Sequence, residues 1–166
     1  QYSASAKSLT AITLSNNKLK TLDFTNTPLI KTFTVLNNEL TNVTFGENTT
    51  KNHTIQLGGN KLTGIDLSGF TTFSGTYLRL RDNNISKAED IILPGKISQI
   101  WADGNALSLS ELYELTSKAK TVTYATLFSS EQAQMPYAIA ESINVGETVD
   151  LSSEAMLGET ATTFVW

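Results

Sequence analysis

Residues 14–30 read LSNNKLKTLDFTNTPLI and residues 57–70 read LGGNKLTGIDLSGF, and in both stretches apolar residues stand at fixed distances around an asparagine. The wider pattern is LxxLxLxxNxL, and its asparagines are Asn17, Asn38, Asn60, Asn83 and Asn105. Successive asparagines lie 21, 22, 23 and 22 residues apart. A repeat of this length predicts stacked units that bury one continuous core between neighbours.

Each copy of the pattern predicts one short strand of a parallel sheet, with alternate apolar side chains buried. The repeated asparagine is expected to close the turn after the strand. Its amide can satisfy backbone groups of neighbouring coils that find no partner in the sheet. We therefore expect a structural asparagine ladder of Asn17, Asn38, Asn60, Asn83 and Asn105.

Return segments connect the predicted strands. In the first three copies a shorter xxLxL motif suggests extended or irregular arcs. In the fourth and fifth copies, SKAEDIIL (86–93) and SLSELYELTSKAK (108–120) predict short helices that begin at capping boxes, Ser86 with Glu89 and Ser108 with Glu111. The predicted fold class is an α/β solenoid with a parallel sheet on its concave face, irregular or short helical return arcs, and a small all-β segment at the C-terminus.

The motifs LSNNKLKTLDFTNTPLI and LGGNKLTGIDLSGF resemble leucine-rich repeats, across roughly residues 8 to 128, and within that family the nested 21- to 23-residue repeats of bacterial surface proteins. The pattern departs from the family at Asn52, where a leucine is expected, and in the loose second copy. The resemblance implies a secreted or cell-surface scaffold for binding or adhesion, without catalytic activity of its own. Extracellular placement rests on this resemblance alone, because no signal peptide is visible.

Three segments are expected along the chain. Residues 1–128 form the leucine-rich repeat solenoid of five to six repeats, with the sixth passing through Val122 and Tyr124, and residues 129–136 form a polar connector. Residues 137–166 predict a short β-strand segment that resembles the start of an immunoglobulin-like domain. Such a domain takes about 100 residues, so we expect this one to be truncated. The first coil is uncapped and the strands after Tyr137 have exposed ends. A homodimer that pairs through these strand ends is therefore a further expectation.

The composition of the chain excludes several classes of catalytic site, metal site and partner. The 166 residues include no Cys and one His, which excludes a cysteine nucleophile and thiolate zinc sites and disfavours a His-based metal cluster. The net charge of −4 argues against nucleic acid as a partner. No apolar stretch approaches the length of a membrane span, so membrane insertion is not expected. No cofactor and no metal are expected. His53 is expected to be a surface residue.

The concave face of the fourth and fifth copies carries the most distinctive side chains. Both arginines of the chain, Arg79 and Arg81, fall at inward-facing positions of one strand, beside a tryptophan of the next. Neighbouring parallel strands lie about 4.8 Å apart, which predicts a cation–π contact of Arg79 with Trp101 and an ion pair of Arg81 with Asp103. The candidate ligand-binding residues are Tyr77, Arg79, Arg81, Asp82, Gln99, Trp101 and Asp103. The alternative is that these pairs are cross-strand contacts without a ligand.

Two functions follow as expectations. The first is a non-enzymatic, extracellular or cell-surface module that binds a protein or glycan through the concave face. The alternative is a structural spacer that presents neighbouring domains, which the small Thr, Ser and Asn side chains of the first three copies favour. A glycosidase would need two carboxylates facing one cleft, and the concave face offers only Asp82 and Asp103.

Overall fold

The structure, a computed structural model, describes residues 2–3, 7–71, 76–94, 97–120, 126–128, 156–157 and 160–161. The chain winds into a parallel β-solenoid of stacked coils, as the repeat predicts. Each coil from the first to the fourth contributes one strand to a main sheet and a second strand to the opposite side of the stack.

The main sheet has six parallel strands, one per coil, in the order β2, β4, β6, β8, β10 and β11. They are β2 (Ala11–Thr13), β4 (Thr32–Thr34), β6 (Thr54–Gln56), β8 (Thr76–Arg79), β10 (Ile97–Trp101) and β11 (Thr126–Phe128). The register follows the asparagine period, since Ile12, Phe33, Ile55, Leu78 and Ile100 lie side by side across neighbouring strands. The sixth strand, β11, begins after the region of Val122 and Tyr124, and residues 121–125 lie outside the described residues.

For the first three coils extended arcs were expected, whereas the short helix expected at 86–93 in the fourth coil is reduced to a 3-10 turn followed by a strand. The return segments of all four coils form outer strands. They are β3 (Thr21–Phe24), β5 (Asn42–Phe45), β7 (Ile65–Asp66) and β9 (Ile91–Ile92). β3 lies between β5 and β1 (Tyr2–Ser3) and pairs with both, while β7 pairs with β9. The reason is the period of two in the xxLxL motif, which buries Leu22 and Phe24 on one side of an extended chain.

Helix is limited in the described chain to one 3-10 turn, Ala88–Asp90, and to α1 (Leu109–Lys120) in the fifth coil. Neither predicted capping box forms completely. The residue before the 3-10 turn, Lys87, makes no side-chain cap, and at α1 the Ser108 hydroxyl accepts the Glu111 backbone N–H at 3.2 Å. The Glu111 carboxylate instead accepts the Ala88 N–H at 2.5 Å and so ties two coils together.

The hydrophobic core lies between the main sheet and the outer strands. Four phenylalanines fill the first three coils with edge-to-face and stacked contacts, and their ring centroids lie 4.8 to 6.2 Å apart: Phe24, Phe33, Phe45 and Phe70. Leucine and isoleucine take over in later coils, where Leu78, Leu80 and Ile85 are fully buried. Each such side chain contributes about 1.5–3 kcal/mol by leaving water.

The repeated asparagines hydrogen-bond to the coil before them. Asn60 donates to the carbonyls of Leu57 at 2.8 Å and Gly58 at 3.3 Å in its own coil, and of Val35 at 2.9 Å in the preceding one. Its Oδ1 accepts the Leu40 N–H at 3.1 Å. Asn38, Asn83 and Asn105 repeat this arrangement. Among the described residues, Asn17 donates to carbonyls of its own coil alone, Leu14 and Ser15.

His53 is buried, so its expected surface position is wrong. In the third coil Asn52 stands where other coils place an apolar residue, and it adopts a left-handed conformation with φ of 60°. The next side chain, His53, turns into the core and packs edge-on against Phe70 with centroids 4.8 Å apart. Its ring nitrogens contact the hydroxyls of Thr50 at 2.9 Å and Thr76 at 3.2 Å.

The chain beyond the solenoid is described in two short strands, β12 (Met156–Leu157) and β13 (Thr160–Ala161), which pair antiparallel. The connector 129–136 and most of the immunoglobulin-like segment expected at 137–166 lie outside the described residues. In the described part of the chain, no helix combines the length and the apolar character that crossing a membrane requires.

Candidate ligand-binding face

The open face of the main sheet is defined here by the side chains that alternate with the buried ones along its strands. Two rows cross the strands, as the register shows: Ala11, Thr32, Thr54, Tyr77 and Gln99 in one, and Thr13, Thr34, Gln56, Arg79 and Trp101 in the other. Both rows change from small side chains in the first coils to large polar and aromatic ones in the fourth and fifth. The open face is therefore chemically uneven along the solenoid axis.

Arg79 is held between an aromatic ring and an amide. Its Cζ lies 4.8 Å from the centre of the Trp101 ring, which is the cation–π contact predicted from the register. Its Nη1 donates to Oε1 of Gln56 in the preceding coil at 3.1 Å. The Tyr77 ring stacks near Trp101, with centroids 6.5 Å apart and planes at 26°. Strands β6, β8 and β10 thus position one continuous cluster of side chains.

Arg81 and Asp103 form the predicted ion pair, through Arg81 Nε and Asp103 Oδ2. Asp103 is only 8% exposed, so it presents little surface to a ligand, and its predicted role as a ligand-binding residue stays a prediction. Arg81 from the neighbouring coil approaches one carboxylate oxygen, while the other, Oδ1, is buried and has no hydrogen-bond partner among the residues that the structure describes. Asp103 therefore neutralises and orients Arg81 from below.

The remaining two predicted site residues lie at the margins of this cluster. Gln99 is half-buried beside Tyr77 in the strand register. Asp82 is exposed and adopts a left-handed conformation with φ of 53°. Its carboxylate extends over Gly104 in the next coil, and away from the third coil.

Asp82 belongs to a column of left-handed residues that directly precede the ladder asparagines. Their φ angles lie between 53° and 69°, and the residues are Asn16, Asn37, Gly59, Asp82 and Gly104. Asn37 and Asp82 extend their side-chain oxygens over the glycine of the next coil, where an added β-carbon would collide with them. Glycine is required at Gly59 and Gly104 both by the backbone conformation and by this close approach.

Sequence reasoning missed a cleft of about 400 Å³ on the open face. Gly58 and Gly59 lie at its base, in the third coil. Their lack of side chains leaves space between the second coil and the fourth. The lining residues are Leu36, Asn37, Gln56, Gly58, Gly59, Arg79, Arg81, Asp82 and Trp101. The signal in the sequence was the Gly-Gly pair at positions that carry side chains in the second and fourth copies.

A second cavity, of about 420 Å³, lies on the outer side between β5 and β7. Asp66, Glu89 and Asp90 make it acidic. Hydrogen bonds from the hydroxyl and the backbone N–H of Ser68 lower the pKa of Asp66, so this carboxylate shapes a local turn. Within the described residues, no group of three acidic or His side chains is arranged to hold a metal ion.

Comparison of the chain with protein-family models, with curated proteins and with solved structures gives no match.

Proposed function

We propose that the chain is a non-enzymatic, leucine-rich-repeat-type module of a secreted or cell-surface protein, which binds a protein or glycan through the open face. The observation that carries the proposal is the cluster of Tyr77, Arg79 and Trp101 beside the cleft, with Arg81 next to it. Both arginines of the chain lie in this one patch. Tyr, Trp and Arg are the residues that dominate binding hot spots, because they combine large contact area with polar groups.

The cluster is suited to binding because its long side chains are already oriented. Gln56 and Trp101 restrain the Arg79 guanidinium, and Asp103 restrains Arg81. A ligand then meets arginines that lose little side-chain freedom on contact, which favours affinity. Tyr77 remains 43% exposed and offers an aromatic surface at the edge of the patch.

The leucine-rich-repeat assignment is supported by the LxxLxLxxN period and by asparagines that bond from one coil to the preceding one. The short outer strands and the single α-helix of the described part fit a member with compact return arcs. Placement outside the cell follows from the same resemblance.

The alternative function is a structural spacer without a ligand. The observation that favours it is the open face of the first two coils, where Ala11, Thr13, Thr32 and Thr34 present little chemistry. A spacer predicts that removing the aromatic and basic side chains of the patch changes no interaction.

The test is a binding screen of the full chain against panels of glycans and extracellular proteins. The same screen is run on Arg81→Ala/Trp101→Ala, with folding checked by circular dichroism. Lys20→Ala/Tyr113→Ala is the matched control, since it removes one cation and one exposed aromatic elsewhere. A hit lost only in the first variant supports the proposal. A hit retained by it places the site elsewhere, and no hit with any probe favours the spacer.

A further inference from the structure

We propose that the cleft above Gly58 and Gly59 binds a carboxylate-bearing sugar ring, such as a uronic acid residue of an acidic glycan. This inference rests on the proposed function and names the class of ligand for the same face. It follows from the shape of the cleft, from Arg79, which has no carboxylate partner among the described residues, and from the hydrogen bonds of the backbone at the base of the cleft.

The shape comes from the third coil. At the positions of Gly58 and Gly59 the second coil carries Leu36 and Asn37, and the fourth carries Arg81 and Asp82. The resulting space of about 400 Å³ is near the lower end for small-molecule sites, so it suits a ring-sized group. Trp101 belongs to its lining and offers an aromatic surface of the kind that packs against sugar rings.

The two arginines of the cleft differ in charge compensation. Asp103 neutralises Arg81, whereas Arg79 has no carboxylate within salt-bridge distance among the described residues. One guanidinium hydrogen of Arg79 goes to Gln56, and a guanidinium carries five N–H donors. The remaining donors match a carboxylate, which arginine binds through paired, charge-assisted hydrogen bonds.

A hydrogen-bond acceptor lies on the opposite side of the cleft. The Asn37 amide donates to Oδ1 of Asn16 at 3.0 Å, which orients its own Oδ1 toward Gly59. The Asp82 carboxylate, which also belongs to the lining, extends Oδ1 over Gly104 in the next coil. An acceptor facing a cation suits a ligand that carries hydroxyl groups and a carboxylate on one ring.

The backbone at the base of the cleft disfavours an acidic peptide. The carbonyls of Gly58 and Gly59 accept the N–H groups of Asn37 at 3.0 Å and Asn38 at 3.1 Å, and the Gly59 N–H donates to the Arg81 carbonyl at 2.9 Å. A peptide main chain would find these groups already paired. Recognition must therefore come from side chains, as with a ligand whose own polar groups are hydroxyls and carboxylates.

The experiment is calorimetric titration of the full chain with tetrasaccharides of galacturonic, glucuronic and mannuronic acid. The same tetrasaccharides with methyl-esterified carboxylates are the neutral controls, and penta-glutamate is the peptide control. The variants are Arg79→Met, which removes the unpaired cation, and Gly58→Leu, which fills the cleft. Lys20→Met removes one exposed cation outside the cleft.

We expect at least one acidic tetrasaccharide to bind and its methyl ester to bind roughly tenfold or more weakly, with a similar loss in Arg79→Met and Gly58→Leu but not in Lys20→Met. A β-carbon at Gly58 would lie 3.3 Å from the Arg81 carbonyl oxygen, so folding of Gly58→Leu is verified first. If it does not fold, Arg79→Met decides.

Three results would overturn the inference: no binding of any acidic tetrasaccharide, equal binding of acid and ester, or penta-glutamate binding with the same dependence on Arg79. The failure of this inference can be distinguished from the failure of the proposed function, binding of a protein or glycan through the open face. A neutral glycan or protein whose binding is lost in Arg81→Ala/Trp101→Ala would preserve it, whereas the absence of any ligand, acidic glycans included, would overturn both.

Discussion

Replacing Asn60 with alanine should destabilise the solenoid far more than the same change at Asn17. The Asn60 amide is buried, donates toward three carbonyls and accepts the Leu40 N–H, and two of these four contacts reach the preceding coil. Alanine leaves the Leu40 N–H and the Val35 carbonyl without their Asn60 partner, while the carbonyls of Leu57 and Gly58 keep hydrogen bonds from Asn83 and from the Asn37 N–H. At about 1 kcal/mol for each lost bond, we expect a loss of about 3–5 kcal/mol in the free energy of unfolding.

Asn17 is the matched control, because the same residue in the same motif is exposed and, within the part of the chain that the structure describes, bonds to carbonyls of its own coil alone. Its replacement by alanine should cost about 1 kcal/mol or less. A third variant, Asn60→Asp, keeps the acceptor but places a carboxylate oxygen against three carbonyls, so it should be at least as damaging as alanine.

Urea denaturation followed by circular dichroism measures the three variants against the parent chain, provided that the slope with urea stays constant. Equal losses for Asn60→Ala and Asn17→Ala would refute the view that the asparagine ladder joins successive coils. An Asn60→Asp chain as stable as the parent would refute the donor role of the amide.

Two further predictions concern the third coil. Burial, with the nearby Lys31 charge, lowers the pKa of His53 from 6.5 to about 4. The neutral His53 therefore contributes fully to the free energy of unfolding above pH 6.5, and this contribution is lost as the pH falls toward 4. The expected loss is about 2 kcal/mol between pH 7 and pH 5. Urea unfolding at both pH values measures this, a His53→Gln chain should lack the dependence, and an unchanged parent stability would contradict it. Gly59→Ala should cost about 1–2 kcal/mol, because φ is +68° and the β-carbon would meet the Asn37 carboxamide. Gly58→Ala should cost less in the same urea assay, and equal midpoints for the two variants would show that the left-handed column imposes no constraint.

The asparagine period predicted the stacked coils, the parallel main sheet and the side-chain pairs of the candidate site. Once the asparagines fix the alignment, strand register follows, and with it the contact of Arg79 with Trp101 and the pair of Arg81 with Asp103. These are nearest-neighbour relations along a repeating axis, which a one-dimensional pattern can contain.

The pattern did not predict how deeply Asp103 and His53 are buried. It also did not predict the cleft that the absent side chains of the glycines leave. Asp103 occupies a position that the alternation assigns to the open face, but the longer Arg81 covers it. His53 lies one residue beyond the apolar position of the repeat and enters the core because Asn52 adopts a left-handed turn. The cleft escaped notice because glycines look featureless in sequence, and their effect appears only between larger neighbours.

The open face around Trp101 is proposed to bind a ligand, and Trp101 itself can report on that binding. The chain has two tryptophans, so Trp166→Phe leaves Trp101 as the only reporter. The most direct measurement is the fluorescence of Trp101 in this variant during titration with the strongest ligand from the binding screen. We predict a saturable change whose midpoint matches the calorimetric affinity and which disappears in Arg81→Ala. Calorimetric binding that leaves Trp101 emission unchanged would contradict the account.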